Sequence, residues 1–209
     1  GHAVVLTREP GGSPGAEDIR KLLVEGEPGR WSVLSETLLF IAARADHVEK
    51  TIEPALHRGA WVISDRFSDS TFVYQGIARG LGVEKVRELQ HAALGDYAPD
   101  LTLILDVEPD EGLKRAHARG HAAENRFEKF DGDFHARLRS AFREIAARET
   151  ARCVLIDGAR AAGIAEHVVR DLLSLHRGGA MPLADAARLF PDCLTAMEQL
   201  ARFVDGWRA

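Results

Sequence analysis

Ala60-Trp61-Val62-Ile63-Ser64-Asp65-Arg66 is a short apolar run that stops on a charged pair. A run this short and this apolar, bounded by charge, suits a strand covered on both faces. The pattern recurs along the chain. Ala3 to Thr7 leads into Arg8-Glu9-Pro10-Gly11-Gly12, Leu101 to Leu105 ends at Asp106, and Cys153 to Ile156 ends at Asp157. Between these runs the apolar spacing lengthens to that of helices. Ala16 to Glu25 carries Ile19, Leu22 and Leu23 on one face. Ser35 to His57 carries Leu38, Leu39, Ile41, Ala42 and Ala45 as its apolar stripe. Val83 to Leu94, a helix opening at Pro109, Phe130 to Arg148 and Ile164 to Leu175 complete the alternation. Strands that alternate with helices predict an α/β fold, a parallel sheet with helices on both faces. Ligands in such folds bind beyond the C-terminal ends of the strands, where three Asp residues and Thr7-Arg8-Glu9 gather.

The bulk properties agree with one globular domain. Of 209 residues, 45% are apolar and 28% charged, and the net charge is −5. That balance argues against broad nucleic-acid binding, though not against a local anion site. No apolar run reaches the ~20 residues that span a bilayer, and the N-terminus carries no signal pattern. Cys153 and Cys193, far apart, do not suggest a disulfide framework. A cytoplasmic protein is expected. His176 to Gly179 reads as a linker between a domain at 1–177 and a helical extension at 178–209.

Four groups of residues could carry chemistry. Asp65 could hold hydrated magnesium, and Arg66 offers a planar fork to phosphate. Ser68, Ser70, Thr71, Tyr74 and Gln75 follow within two helical turns, with Gly76 ending that segment. Taken alone, an Asp-Arg pair is more often a structural ion pair. Phe40 and Arg44, four apart, share a helix face and could stack on and read a base; equally, Phe40 could be core and Arg44 solvated. Glu9-Pro10-Gly11-Gly12 lets backbone approach a ligand, and Arg20 on the next helix adds a cation. Lys114, Arg115, His117, Arg119, His121 and Arg126 straddle a polar break at Gly120 to Asn125. A mobile arginine there could neutralise a transferred phosphoryl group; such clusters are more often solvated. His117 and His121 lack a third metal ligand. Cys153 reads as inert core.

The order of these motifs resembles bacterial thymidylate kinases. It runs from Thr7 to Gly12, through Leu39-Phe40 with Arg44 and Asp65-Arg66 to Tyr74-Gln75-Gly76. Pro99-Asp100-Leu101-Thr102, Leu105-Asp106-Val107 and Arg126-Phe127-Glu128 complete it. The resemblance covers about 1–175 and implies a P-loop-NTPase-like sheet. It also implies transfer of the γ-phosphoryl of ATP to dTMP with Mg2+, for dTTP biosynthesis, in a homodimer. Phe40 would stack on thymine, Arg44 and Gln75 would meet its edge, and Ser70 and Thr71 would line the pocket. Arg20 and Arg66 would hold the acceptor phosphate, with Glu9 near sugar and phosphate. Tyr74 would crowd the 2′ position. Asp65 would be the magnesium partner. A lid at about 119–127 would bring Arg119 or Arg126 to the transferred phosphoryl.

Two features depart from the family. No Gly-x-x-x-x-Gly-Lys-Ser/Thr loop occurs, and with it the central first strand is missing. The expectation is a fragment of a longer product, inactive alone. The extension at 178–209 is the second departure, read as peripheral helix or partner segment. The alternatives are another nucleoside or nucleotide kinase of the superfamily, or a non-catalytic nucleotide-binding remnant acting as an interaction protein.

Overall fold

The computed structural model describes residues 3–118, 126–127 and 129–157. The chain divides into two compact units, residues 1–98 with 113–138, and 99–112 with 139 onward.

In the first unit β1 (Val4–Thr7) pairs in parallel with β2 (Trp61–Ser64), from Val4 opposite Trp61 to Thr7 opposite Ser64. Between them lie α1 (Pro14–Val24), α2 (Val33–His47) and α3 (Glu53–His57). Pro14 sits in the first turn of α1, where its missing N–H costs nothing. Ser32 caps α2 by accepting from the Ser35 N–H. A wider π-type segment, Val48–Ile52, joins α2 to α3, so one helical path runs from Val33 to His57. After β2 come α4 (Ser68–Thr71), a second π-type segment (Phe72–Ala78) and α5 (Val83–Leu94). Ala16, Leu23, Ile41, Ala43, Val73 and Val86 are among the buried apolar residues here.

In the second unit β3 (Thr102–Asp106) pairs in parallel with β4 (Cys153–Asp157). α6 (Pro109–Ala118) follows β3 and α7 (Gly132–Arg148) precedes β4; residues 109–112 of α6 and 139–148 of α7 belong to this unit and the rest of each helix to the first. Ile104, Ala146 and Cys153 form a buried cluster packed by Phe142 and Ile145.

Among the described residues the strands form two parallel pairs, β1 with β2 and β3 with β4, in keeping with the expected α/β class. Their coverage is thinner than the composition implied: Val4 is 49% exposed, and no residue of β2 is fully buried. Two expectations about the helices are corrected. The buried face of α2 is not the leucine stripe, because Leu38 and Ala42 are exposed while Glu36, Thr37, Arg44 and His47 are buried. Polar partners on facing elements make that face the inner one. Gly76 does not end its helix, which continues to Ala78. A Cβ there would lie 3.4 Å from Val86 Cγ2 and 3.5 Å from Val83 Cα, so the glycine marks the close approach of α5. The expected helix at Ile164 to Leu175, the linker and the extension at 178–209 lie outside the described residues.

Candidate functional site

The loop after β1 is shaped by two glycines and braced by side chains. Gly11 and Gly12 have φ of +133° and +85°, in the region that favours glycine. A Cβ on Gly12 would fall 2.3 Å from His47 Nε2 and 2.4 Å from Thr7 Oγ1. Those two atoms lie 2.6 Å apart, so only a glycine lets the loop cross them. Arg8 donates through Nε and Nη2 to the two oxygens of Glu17, at 3.1 and 2.8 Å, and the Gly12 N–H donates to Glu17 Oε1 at 2.9 Å. Burial alone would raise the Glu17 carboxyl, but Arg8 and the Gly12 N–H hold it below its usual value. Ser13 does not cap α1; its hydroxyl donates to Asp46 at 2.6 Å. Thr51 and Arg20 donate to the Gly12 and Pro10 carbonyls at 2.6 and 2.8 Å.

This bracing delivers Glu9 to the interior. Its Oε2 accepts from Arg44 Nε at 2.8 Å, its Oε1 lies 3.2 Å from His47 Nδ1, and its own N–H donates to Asp65 Oδ1 at 2.9 Å. Glu9 and Arg44 are 4% and 2% exposed, so this is a buried ion pair and needs its other groups satisfied. Arg44 Nη1 donates to Gln90 Oε1 and Nη2 to Thr71 Oγ1, both at 3.0 Å, and the guanidinium lies over the Phe67 ring at 5.1 Å. A guanidinium has five N–H groups. These three bonds hold its plane while leaving donors on both Nη atoms.

A second buried centre lies toward the start of α2. Glu36, wholly buried, accepts Gln75 Nε2 at 2.8 Å and Arg126 Nη2 at 2.5 Å, and pairs with Arg79 Nη1 at 2.5 Å. Gln75 reaches it from the π-type segment, whose extra residue per turn re-aims its side chains. Arg126 also donates to the carbonyls of Leu23, Glu27 and Pro28, each at 3.0 Å.

Around these centres, Phe40 and Tyr74 meet Phe127, with ring centroids at 6.0 and 5.6 Å, and Phe134 adds an edge approach to Tyr74. Arg66 is exposed at the end of β2, over the Tyr74 ring at 5.4 Å and 3.4 Å from Ser70 Oγ. Asp65 is likewise exposed. Among the described residues no three His, Cys, Asp or Glu stand together as a metal cage. In the second unit, Asp106 accepts from Arg139 at 2.6 and 3.2 Å and from Arg143 at 2.6 Å.

The sequence-derived residues of the first unit fall into contacting groups. Glu9, Arg44 and Thr71 share one network, with Asp65 tied to it through the Glu9 N–H, while Arg66 meets Ser70 and Tyr74, and Phe40 and Tyr74 both meet Phe127. Three placements differ from the expected roles. Glu9 turns its carboxylate inward to Arg44 and His47. Arg20 is buried on the loop carbonyl of Pro10. Arg126 is 0% exposed in a clamp of three carbonyls and a carboxylate, which occupy its N–H groups instead of a phosphoryl group. Arg119 and most of the expected lid lie outside the described residues. Sequence reasoning did not single out Glu17, Glu36, His47 or Gln90. The eight-residue spacing of Glu36 and Arg44 and the three-residue spacing of Arg44 and His47 put all three on one helix face, a signal that the leucines beside them masked.

Comparison with known proteins gives a consistent set of likenesses. A family model described as thymidylate kinase matches residues 1–168. The thymidylate kinase of Ruegeria pomeroyi is 53% identical over 160 residues, 77% of this chain and 75% of that protein. That of Caulobacter vibrioides is 54% identical over 157 residues, 75% of this chain and 74% of that protein. The crystal structure of thymidylate kinase from Ehrlichia chaffeensis superposes with a TM-score of 0.57 at 37% identity, covering 73% of each chain.

Proposed function

The chain belongs to the thymidylate kinase family, and from that premise we propose how its residues divide the work of phosphorylating dTMP with ATP. The observation that carries the reading is the preorganised Arg44. Its guanidinium is held by Glu9, Thr71 and Gln90, so its remaining N–H groups keep a fixed direction without reorganisation on binding. Arg44 meets a base carbonyl, Gln75 meets the adjacent edge, and Phe40 stacks on the ring. Ser70 and Thr71 line the pocket and Tyr74 stands against the 2′ carbon. Arg66, exposed and steered by the Tyr74 ring, takes the acceptor phosphate. Glu9 acts through Arg44, and Arg20 acts through the loop carbonyl it holds. Arg119 is the arginine assigned to the transferred phosphoryl.

For magnesium, Asp65 fits a limited role. Magnesium usually takes one or two carboxylates, with water and substrate phosphates completing its octahedron. Asp65 spends one oxygen on the Glu9 N–H, which leaves the other to a metal or its water. The ion would supply charge neutralisation at the phosphates. Leu34 and Leu38 on α2 are 43% and 46% exposed, with Ala42 in line beyond them, and this stripe supports a homodimer interface. Nothing in the site favours a different acceptor class or a non-catalytic remnant. Calorimetric titration tests the base site: dTMP is expected to bind saturably and more tightly than dGMP, and Arg44→Ala to abolish that preference. Equal binding of dGMP would overturn the reading.

A further inference from the structure

We propose that Glu36 is a specificity-determining positioning residue: it fixes the orientation of the Gln75 amide and so selects bases that pair an N3–H donor with a C4 carbonyl. The inference rests on the reading that Gln75 meets the base edge, and it assigns a role to a residue remote from that edge.

A glutamine amide is two-faced. Its oxygen and its NH2 are nearly the same size, so shape alone does not decide which points where. A partner that only accepts, or only donates, decides it. Glu36 lies between the Arg79 and Arg126 guanidiniums, at 2.5 Å from each, and presents nothing but acceptors. Gln75 Nε2 lies 2.8 Å from its Oε1. Turned over, the Gln75 carbonyl would face that same oxygen, two acceptors together and both without a donor. Burial sharpens the choice, because Gln75 is 1% and Glu36 0% exposed and water cannot repair the mismatch.

With one N–H committed to Glu36, the amide keeps one N–H and its carbonyl side by side. That pair matches O4 and N3–H of thymine or uracil. It opposes cytosine, which offers an N4–H donor and a bare N3 acceptor there. A site with fixed polar groups rejects the wrong partner by leaving them unpaired. A neutral amide at position 36 would itself turn over and could not impose the choice. The two arginines thus offset the burial of the carboxylate, and the carboxylate makes Gln75 one-sided.

Calorimetric titration of dTMP, dUMP and dCMP tests this. Glu36→Gln is expected to weaken dTMP and dUMP by the same factor, about tenfold for one misdirected hydrogen bond, and to narrow the dTMP-over-dCMP ratio similarly. An unchanged ratio overturns the proposal. Arg79→Lys disturbs the same buried centre while keeping a cation beside Glu36 Oε1 and leaving the carboxylate that accepts from Gln75 in place. It is expected to lower the melting temperature and keep the ratio; a loss of ratio equal to that of Glu36→Gln would make Glu36 a scaffold only and overturn the proposal. Gln75→Ala separates the two levels. If the ratio survives it, Gln75 does not read the base and both readings fall. If Gln75→Ala collapses the ratio and Glu36→Gln does not, only the role of Glu36 falls. Should Glu36→Gln not fold, side-chain amide NMR of the unaltered protein decides. One Gln75 proton is expected far downfield in the free protein and the other to shift only with dTMP; two averaged, solvent-like resonances overturn the proposal.

Discussion

Arg44 shows how a charge is made useful inside a protein. Burying a guanidinium is unfavourable unless carboxylate and hydrogen bonds replace its water. Glu9, Thr71 and Gln90 provide that replacement from three different elements. The same bonds set the direction of the donors that remain. Arg44→Met would leave Glu9 buried with His47 as its nearest partner. The expected loss is about 3–5 kcal/mol, the range for breaking a buried pair from one side, and denaturant titration would measure it. A loss well below this would mean that Glu9 escapes to solvent when Arg44 is gone.

Elements carry the site by turning polar faces inward. On α2, Glu36, Thr37, Arg44 and His47 are buried while Leu34 and Leu38 are not. The inversion is stable because facing segments bring hydrogen-bond partners, among them Glu9, Thr71 and Gln90 for Arg44 and, from the second π-type segment, Gln75 for Glu36. The end of β3 follows a related logic with acid sensitivity. Arg139 first, then Arg143, holds the Asp106 carboxyl below its usual value of 3.8. A carboxyl whose folded value is depressed adds stability above its unfolded value and loses it as pH falls through the folded one. Thermal melts of the protein should therefore fall as pH drops below the ordinary carboxylate range. Asp106→Asn should lower the melting temperature near neutrality and flatten that acid decline; an equally steep decline in the variant would assign it to other carboxylates.

At the scale of the whole molecule, the line of Leu34, Leu38 and Ala42 is an apolar stripe that the folded chain leaves exposed. If it joins two copies, replacing Leu34 and Leu38 with Glu is expected to shift sedimentation from dimer to monomer while the circular dichroism of the fold is retained. A dimer that survives both changes would place the interface elsewhere.

The α/β class, the strand positions to within a residue, and the motif order that marks the family were determined by sequence alone. Those features depend on local chemistry: apolar runs, glycine turns and residue order, which neighbours along the chain record. The inward turn of Glu9, the clamp on Arg126 and the Glu36 centre were decided only by tertiary structure. Each joins residues 35 to 103 positions apart. Glu36 read in sequence is one more acid on a helix. It becomes a determinant of the site when folding brings Gln75, Arg79 and Arg126 to its two oxygens and excludes the water that would otherwise satisfy them.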